Sequence, residues 1–173
     1  MNIKRRPYNL SDVSRLAEYA NNWNISKYLS DQFPFPYTEK DAEEFINRTL
    51  EYDPLHSFAI VVNDELVGGI GIHPKDDIHR KNAELGYWVA EPFWGKGIMS
   101  RMIREMVEYG FKTFDIERIY AATFGDNLAS QAVLLKNGFK KEAHFTRTLY
   151  KGNALHDEII FGIRREWIMD GEL

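Results

Sequence analysis

The sequence predicts an α+β fold: a twisted, mixed and mostly antiparallel sheet of about seven strands, flanked by helices on both faces. Three observations carry that expectation. Residues 13 to 29 and 42 to 50 repeat their apolar positions at helical spacing, residues 57 to 72 change to the spacing of strands, and a later strand, helix and strand demand a parallel crossover.

The elements follow in chain order. Asn2 to Arg6 open a first strand, and Ser11 is read as the cap of a helix carrying Val13, Leu16, Ala17 and Ala20. Trp23, Ile25, Tyr28 and Leu29 continue as a second short helix. The prolines of Asp31 to Tyr37 forbid a continuous helix there, so its three aromatic rings either plug the core or line a pocket. Thr38 caps a helix with Ala42, Phe45, Ile46 and Leu50 on one side.

Phe58 to Val62 and Leu66 to Ile72 form a hairpin around Asn63-Asp64. Gly68, Gly69 and Gly71 weaken its second strand unless another backbone or a ligand lies close. A polar connector, 73 to 82, leads to the central strand Ala83 to Val89, completing an antiparallel meander. Ile98, Met102, Ile103, Met106, Val107, Phe111 and Phe114 mark a long helix with a broad buried face. Arg118 to Phe124 is the next strand, reached through that helix and so parallel to the central one. Asn127 caps a helix ending at Asn137-Gly138, and two long strands, Phe139 to Tyr150 and Leu155 to Trp167, close the chain around Lys151-Gly152-Asn153.

Composition bounds the function. A chain of 173 residues suits a single domain, 1-173, and is short for two of ordinary size. Hydrophobic content of 44% beside 28% charged residues is that of a soluble globular protein. No apolar run approaches the ~20 residues that span a bilayer, and Met1 to Arg6 precede no leader-like stretch. The expectation is cytoplasmic, without a membrane partner. The absence of cysteine excludes disulfides, thiolate metal sites and cysteine nucleophiles. A net charge of -4 argues against a nucleic-acid-binding face. The five histidines show no metal-ligand spacing, so no metal is expected.

The chemistry centres on Ala83 to Ile98, a strand running through a short loop into a helix. Helix starts expose N–H groups and a partial positive charge, and Gly95 and Gly97 leave the backbone bare at such a start, which suits a pyrophosphate. A nucleotide P-loop requires G-x-x-x-x-G-K-[ST], whose second half is missing, and a dinucleotide fingerprint requires a third glycine, also missing.

Taken together, Ala83-Glu84-Leu85-Gly86-Tyr87-Trp88-Val89, Pro92-Phe93-Trp94-Gly95-Lys96-Gly97, Asn127-Leu128-Ala129-Ser130 and Val133 to Phe139 give the chain its likeness. It resembles, over essentially its whole length, the GNAT superfamily of acyl-CoA-dependent N-acetyltransferases, and within it the Rim-type branch that acetylates ribosomal-protein N-termini. The resemblance implies a single GNAT-type domain, open between its fourth and fifth strands where coenzyme A enters. The family's pyrophosphate loop is usually [QR]-x-x-G-x-[GA], and Pro92 stands where the Gln or Arg belongs. The binding groups are mainly backbone N–H, so the departure touches one contact.

By that resemblance acetyl-CoA is the co-substrate. Its pyrophosphate is expected on Trp94, Gly95, Lys96, Gly97 and Ile98, its peptide-like arm beside Trp88 and Val89, and a further contact from Asn127. Simple solvation is an equal reading of Lys96, and helix capping of Asn127. The resemblance points to Glu84 as a catalytic base, against the alternative of a solvent-facing glutamate. Many relatives place a tyrosine at the position of Leu134 to protonate the leaving thiolate; Ser130 is the hydroxyl expected instead, or a serine serving the helix start.

The expected reaction is direct transfer of acetyl from acetyl-CoA to a primary amine in a ternary complex. The acceptor is a protein N-terminus or a small molecule, its pocket drawn from 23 to 37 and 146 to 156. The alternative is a catalytically weak acyl-CoA-binding or interaction protein of the same fold. Exposed strand edges fit a monomer or a homodimer.

Overall fold

The computed structural model describes residues 1 to 169. Its strands are β1 (Ile3–Arg6), β2 (Ser57–Val62), β3 (Glu65–Pro74), β4 (Asn82–Val89), β5 (Arg118–Phe124), β6 (Lys140–Lys151) and β7 (Ala154–Arg164). The α-helices are α1 (Val13–Ala20), α2 (Trp23–Ser26), α3 (Glu39–Thr49), α4 (Ile98–Thr113), α5 (Leu128–Lys136) and α6 (Arg165–Met169). The strands form one sheet in the order β1-β2-β3-β4-β5-β7-β6. The β4–β5 pair is parallel, as a crossover through α4 requires. Its register runs only from Asn82↔Arg118 to Glu84↔Tyr120, so β4 passes beyond its partner for its last five residues, Leu85 to Val89.

The chain packs as two compact units, one of residues 1–71 with 87–102 and the other of 72–86 with 103 onward. In the first, α1 and α3 turn Leu16, Ala17, Ala20, Ala42 and Ile46 onto Ala59, Val61 and Leu66 of β2 and β3. The hairpin turn at Asn63 and Asp64 places both residues at positive φ, 49° and 69°, the geometry that matches strand twist. Thr38 and Asp41 form a reciprocal cap at the start of α3. The cap ahead of α1 is Asn9, not Ser11: a 3-10 turn, Leu10–Asp12, leads into the helix, and Asn9 and Asp12 cap each other.

The proline-punctuated loop divides its aromatic rings. Phe33, partly buried, packs on Tyr37 at 4.9 Å and on Trp88 at 5.8 Å, against the core. Phe35 stays exposed beside Trp23, their centroids 5.5 Å apart. Gly68 and Gly69 have the close neighbours that their sequence demanded: a side chain at Gly68 would collide with the Trp88 carbonyl, and one at Gly69 with the Tyr8 hydroxyl.

In the second unit, Met106, Val107 and Phe111 of α4 and Ile119 and Ala121 of β5 are buried with Phe161 and Ile163 of β7. β7 pairs antiparallel with both β5 and β6. Asn127 caps α5 by accepting the Ser130 N–H, and Gly138 follows the helix at φ 83°. The last strand is shorter than its residues suggest. It ends at Arg164, and 165 to 169 turn into α6, with the Arg165 guanidinium donating to the carbonyls of Phe114 and Ile116.

Candidate functional site

The strand-to-helix segment of the first unit is built from its backbone upward. Ala90 N–H donates to the Val67 carbonyl at 2.7 Å, anchoring the end of β4 on β3. Glu91–Phe93 form one 3-10 turn with Pro92 inside it. Trp94 then folds back, its indole Nε1 donating to the Val89 carbonyl at 2.7 Å. Gly95 and Gly97 stand at φ 71° and 74°, where a side chain is strained, and nothing lies within 4 Å of the place where either Cβ would be. These glycines answer to backbone direction and open space, not to crowding. The turn ends at Ile98, the first residue of the 16-residue helix α4, which is buried.

This unit therefore gathers Trp88, Val89, Trp94, Gly95, Lys96, Gly97 and Ile98 in one continuous segment. An open Gly-x-Gly turn at the head of a long helix leaves room for an anion beside the helix's first N–H groups. Lys96 Nζ lies 5.1 Å from the Phe93 ring centroid, so the residue answers neither sequence reading simply: its cation sits over an aromatic face beside the turn. The Val89 carbonyl is shared with the indole, an engagement that the sequence did not suggest.

Ahead of the turn lies a cleft of about 550 Å³, lined by Tyr19, Asn22, Trp23, Phe35, Glu91 and Pro92 among others. Asn22 Nδ2 donates to Glu91 at 2.7 Å and Asn24 Nδ2 at 3.3 Å, and these bonds hold the Glu91 carboxyl below the usual carboxylate range. The cleft thus combines an oriented negative charge with exposed aromatic rings. Only Trp23 and Phe35 of this set fell within the stretch that the resemblance marked for an acceptor.

The second unit holds Glu84, Asn127 and Ser130. Glu84 projects from β4 with its side chain 39% exposed, and its Oε2 accepts Lys75 Nζ at 2.6 Å and the Tyr120 hydroxyl at 3.2 Å. The Glu84 carboxylate raises the Lys75 ammonium above its ordinary range, while burial and the Glu84 charge raise the Tyr120 phenol. Neither partner was legible in the sequence, since Lys75 follows β3 and Tyr120 lies on β5. Asn127 Oδ1 accepts the Ser130 N–H at 3.3 Å, so the capping role is present. Leu134 is wholly buried, a core residue. Among the described residues no group of three or more His, Cys, Asp or Glu is arranged for a metal ion. No helix among them is long and apolar enough to cross a membrane.

Comparison with known proteins converges on one family. The profile of the acetyltransferase (GNAT) domain matches residues 3–140. The chain is 31% identical over 166 residues to the uncharacterized N-acetyltransferase YnaD of Bacillus subtilis (strain 168), covering 94% of each chain. It is 32% identical over 108 residues, 60% of each chain, to the ribosomal-protein-serine acetyltransferase of Escherichia coli (strain K12). A GNAT-family acetyltransferase structure from Bacillus anthracis superposes with TM-score 0.82 at 25% identity, over 96% of each chain. A ribosomal L7/L12 α-N-protein acetyltransferase solved with coenzyme A shares the fold, with TM-score 0.83 at 23% identity over 95% of this chain and 94% of that one. With its open β4–β5 ladder and its glycine turn at the head of α4, the chain belongs to the GNAT family of acetyl-CoA-dependent N-acetyltransferases.

Proposed function

We propose that this protein acetylates a primary amine, either a protein N-terminus or a small molecule, by direct transfer in a ternary complex in the cytoplasm. The observation that carries the reading is the turn at Gly95 and Gly97, whose positive φ angles and open surroundings leave backbone N–H groups available at the start of α4. Trp94 to Ile98 hold the pyrophosphate, with Lys96 adding positive charge. Trp88 and Val89 take the peptide-like arm as a strand would, and Asn127 is the further coenzyme contact that the family likeness implies. Bound acetyl-CoA supplies the thioester carbonyl that the amine attacks.

The acceptor half of the proposal rests on charge. The Glu91 cleft, with Trp23 and Phe35, suits an ammonium on its way in. Glu84, paired with Lys75, is the carboxylate proposed for the amine, and Ser130 the hydroxyl proposed for the leaving sulfur. A thiolate, with a free value near ~8.5, leaves without strong acid help, so the buried Leu134 does not preclude turnover.

The test is thiol release from acetyl-CoA with alanyl and seryl hexapeptides, spermidine and phenethylamine as acceptors. Stoichiometric thiol and acetylated amine are expected from at least one of them. Coenzyme binding without acetylation of any would support the non-catalytic binding protein instead.

A further inference from the structure

The cleft ahead of the glycine turn lies wholly within the first unit, and its side chains differ in how much of their chemistry is already taken. Glu18 is paired with Arg15 at 2.7 Å, and the same guanidinium lies 5.3 Å over the Tyr19 ring, whose hydroxyl donates to Glu65 at 2.6 Å. Both cleft residues are occupied. Asn21 Oδ1 accepts the Tyr37 N–H, Asn22 Oδ1 accepts the Asn24 N–H, and the Asn22 amide donates to Glu91. These asparagines serve the protein's own backbone and carboxylate.

Glu91, Trp23 and Phe35 are what remains for a solute. Among the described residues Glu91 is bonded by two neutral amides and by no cation, whereas Asp12, Glu18, Asp64 and Glu84 each hold an arginine or a lysine. Lys27 adds positive charge from nearby, but its ammonium lies 3.5 Å from Asn24 Oδ1 and 5.1 Å over the Tyr28 ring. The Glu91 charge is oriented without being neutralised. In the same cleft the Trp23 and Phe35 rings meet at 5.5 Å and 54° and stay 43% and 49% exposed, with no cation over either among the described residues. Elsewhere in this unit Arg5, Arg48 and Lys96 each cover an aromatic face.

An exposed carboxylate alone holds a cation weakly, because water and salt screen the pair, and an exposed ring alone takes any apolar solute. Together they select. A cation that also touches a ring face gains from both, and a solute's own ring covers the bare indole and phenyl surface. One unneutralised carboxylate calls for one cationic group, and two tilted rings call for a flat apolar body. The volume of about 550 Å³ is far more than an ammonium needs and accommodates a ring on a short chain. A polyamine brings more positive charge than the cleft leaves unmatched, and a peptide needs amides that are already bonded.

We propose that this cleft sets the class of acceptor as a small primary amine with one cationic group and an aromatic ring, its ring against Trp23 and Phe35 and its charge toward Glu91. The inference rests on the N-acetyltransferase reading above. Glu91 and Pro92 belong to the 3-10 turn that follows the Val89 end of β4 and precedes Trp94, so the amine docks beside the stretch proposed for the coenzyme arm, within one unit. In the transfer the amine nitrogen bonds the thioester carbonyl carbon, and the C–S bond breaks with its electron pair on sulfur. Of the two protons that the ammonium loses, one completes the coenzyme thiol and the other goes to water. Glu91 acts on recognition, before those protons leave, and so enters KM and not kcat.

The test measures binding and turnover separately on the full chain. In ligand-observed NMR titrations phenethylamine should bind about fivefold more tightly than 2-phenylethanol, its neutral counterpart, and more tightly than spermidine or the seryl hexapeptide. Glu91→Gln keeps an oxygen for the Asn22 amide and removes the charge. It should weaken phenethylamine about fivefold and leave 2-phenylethanol unchanged. Trp23→Ala and Phe35→Ala should weaken both ligands, and thermal melts confirm that each variant is folded. In turnover, Glu91→Gln should raise KM for phenethylamine by a similar factor while kcat stays within about twofold of the parent. Unchanged phenethylamine binding in folded Glu91→Gln and Trp23→Ala, or tighter binding of spermidine or the seryl hexapeptide, overturns the proposal, and acetylation of another amine then leaves the acetyltransferase reading intact. No turnover of any amine by a coenzyme-loaded parent that binds phenethylamine overturns that reading instead, and with it the role of the bound amine as acceptor.

Discussion

The indole Nε1 of Trp94 donates to the carbonyl of Val89 at 2.7 Å, tying the approach of the glycine turn to the end of the central strand. The six residues from Val89 to Trp94 are closed into a loop by this one bond, so the part of the site proposed for pyrophosphate is fixed against the part proposed for the arm. Trp94→Phe keeps most of the ring and removes the donor. The bond is partly exposed and is worth about 1 kcal/mol, so coenzyme affinity should fall severalfold while the melting temperature barely moves. Titration calorimetry with coenzyme A reads the first quantity and a thermal melt the second.

Gly95 and Gly97 are required by their φ angles alone. Valine at either place would force the left-handed conformation at a cost of about 1–2 kcal/mol or turn the N–H groups away, so coenzyme affinity should drop by roughly tenfold or more. Gly86 is the control: it has ordinary φ and nothing within 4 Å of its absent Cβ. Gly86→Ala should bind coenzyme A as the parent does. Equal affinity for all three variants would remove the turn from the binding site.

Glu84 and Lys75 separate charge from fold. Their side chains are 39% and 35% exposed, so the ion pair is screened and contributes at most about 1 kcal/mol to stability. The raised Lys75 value means that this contribution is present below the ordinary lysine range and is lost as pH climbs through the raised value. Near neutral pH, Glu84→Gln and Lys75→Met should therefore melt close to the parent. Glu84→Gln should still lower kcat by tenfold or more, as a group that meets the reacting amine. A normal kcat in a folded Glu84→Gln variant would return Glu84 to the role of a sheet-surface residue.

Asp12 governs the acid side of stability. Burial opposes its charge, but Arg6 bonds both its oxygens at 2.7 Å, the Asn9 N–H adds a third bond at 3.0 Å, and the carboxyl is held below its ordinary range. Its stabilisation is complete above ~4, the unfolded value, and is lost as pH falls through the lower folded value. Asp12→Asn should cost about 3 kcal/mol at pH 7, and the gap from the parent should narrow below pH 4. Urea denaturation at a series of pH values measures both.

Much of this architecture was legible because local rules acted without competition. Asn63-Asp64 and Gly152-Asn153 announced hairpins, and both take the positive φ angles that such turns need. Thr38 and Asn127 cap the helices that their positions promised. Gly68 pointed to a close backbone, and β4 is that backbone. The misreadings lie where tertiary bonds decide. Ser11 lost the cap to Asn9 because a 3-10 turn precedes the helix, and 165 to 169 left the strand because Arg165 is bonded to carbonyls at the end of α4 and beyond. The pairings of Glu84 with Lys75 and Tyr120, and of His144 with Asp157, depend on strand register and on a bulge in β6, which spacing along the chain does not encode.

The most direct test of the central claim is to incubate the full chain with acetyl-CoA and each of the four amines named above, following thiol release and identifying the products by mass spectrometry. Enzyme-dependent acetylation of at least one amine, matched mole for mole by free thiol and weakened in Gly95→Val, is the expected result. Tight coenzyme binding with every amine left unmodified would contradict it.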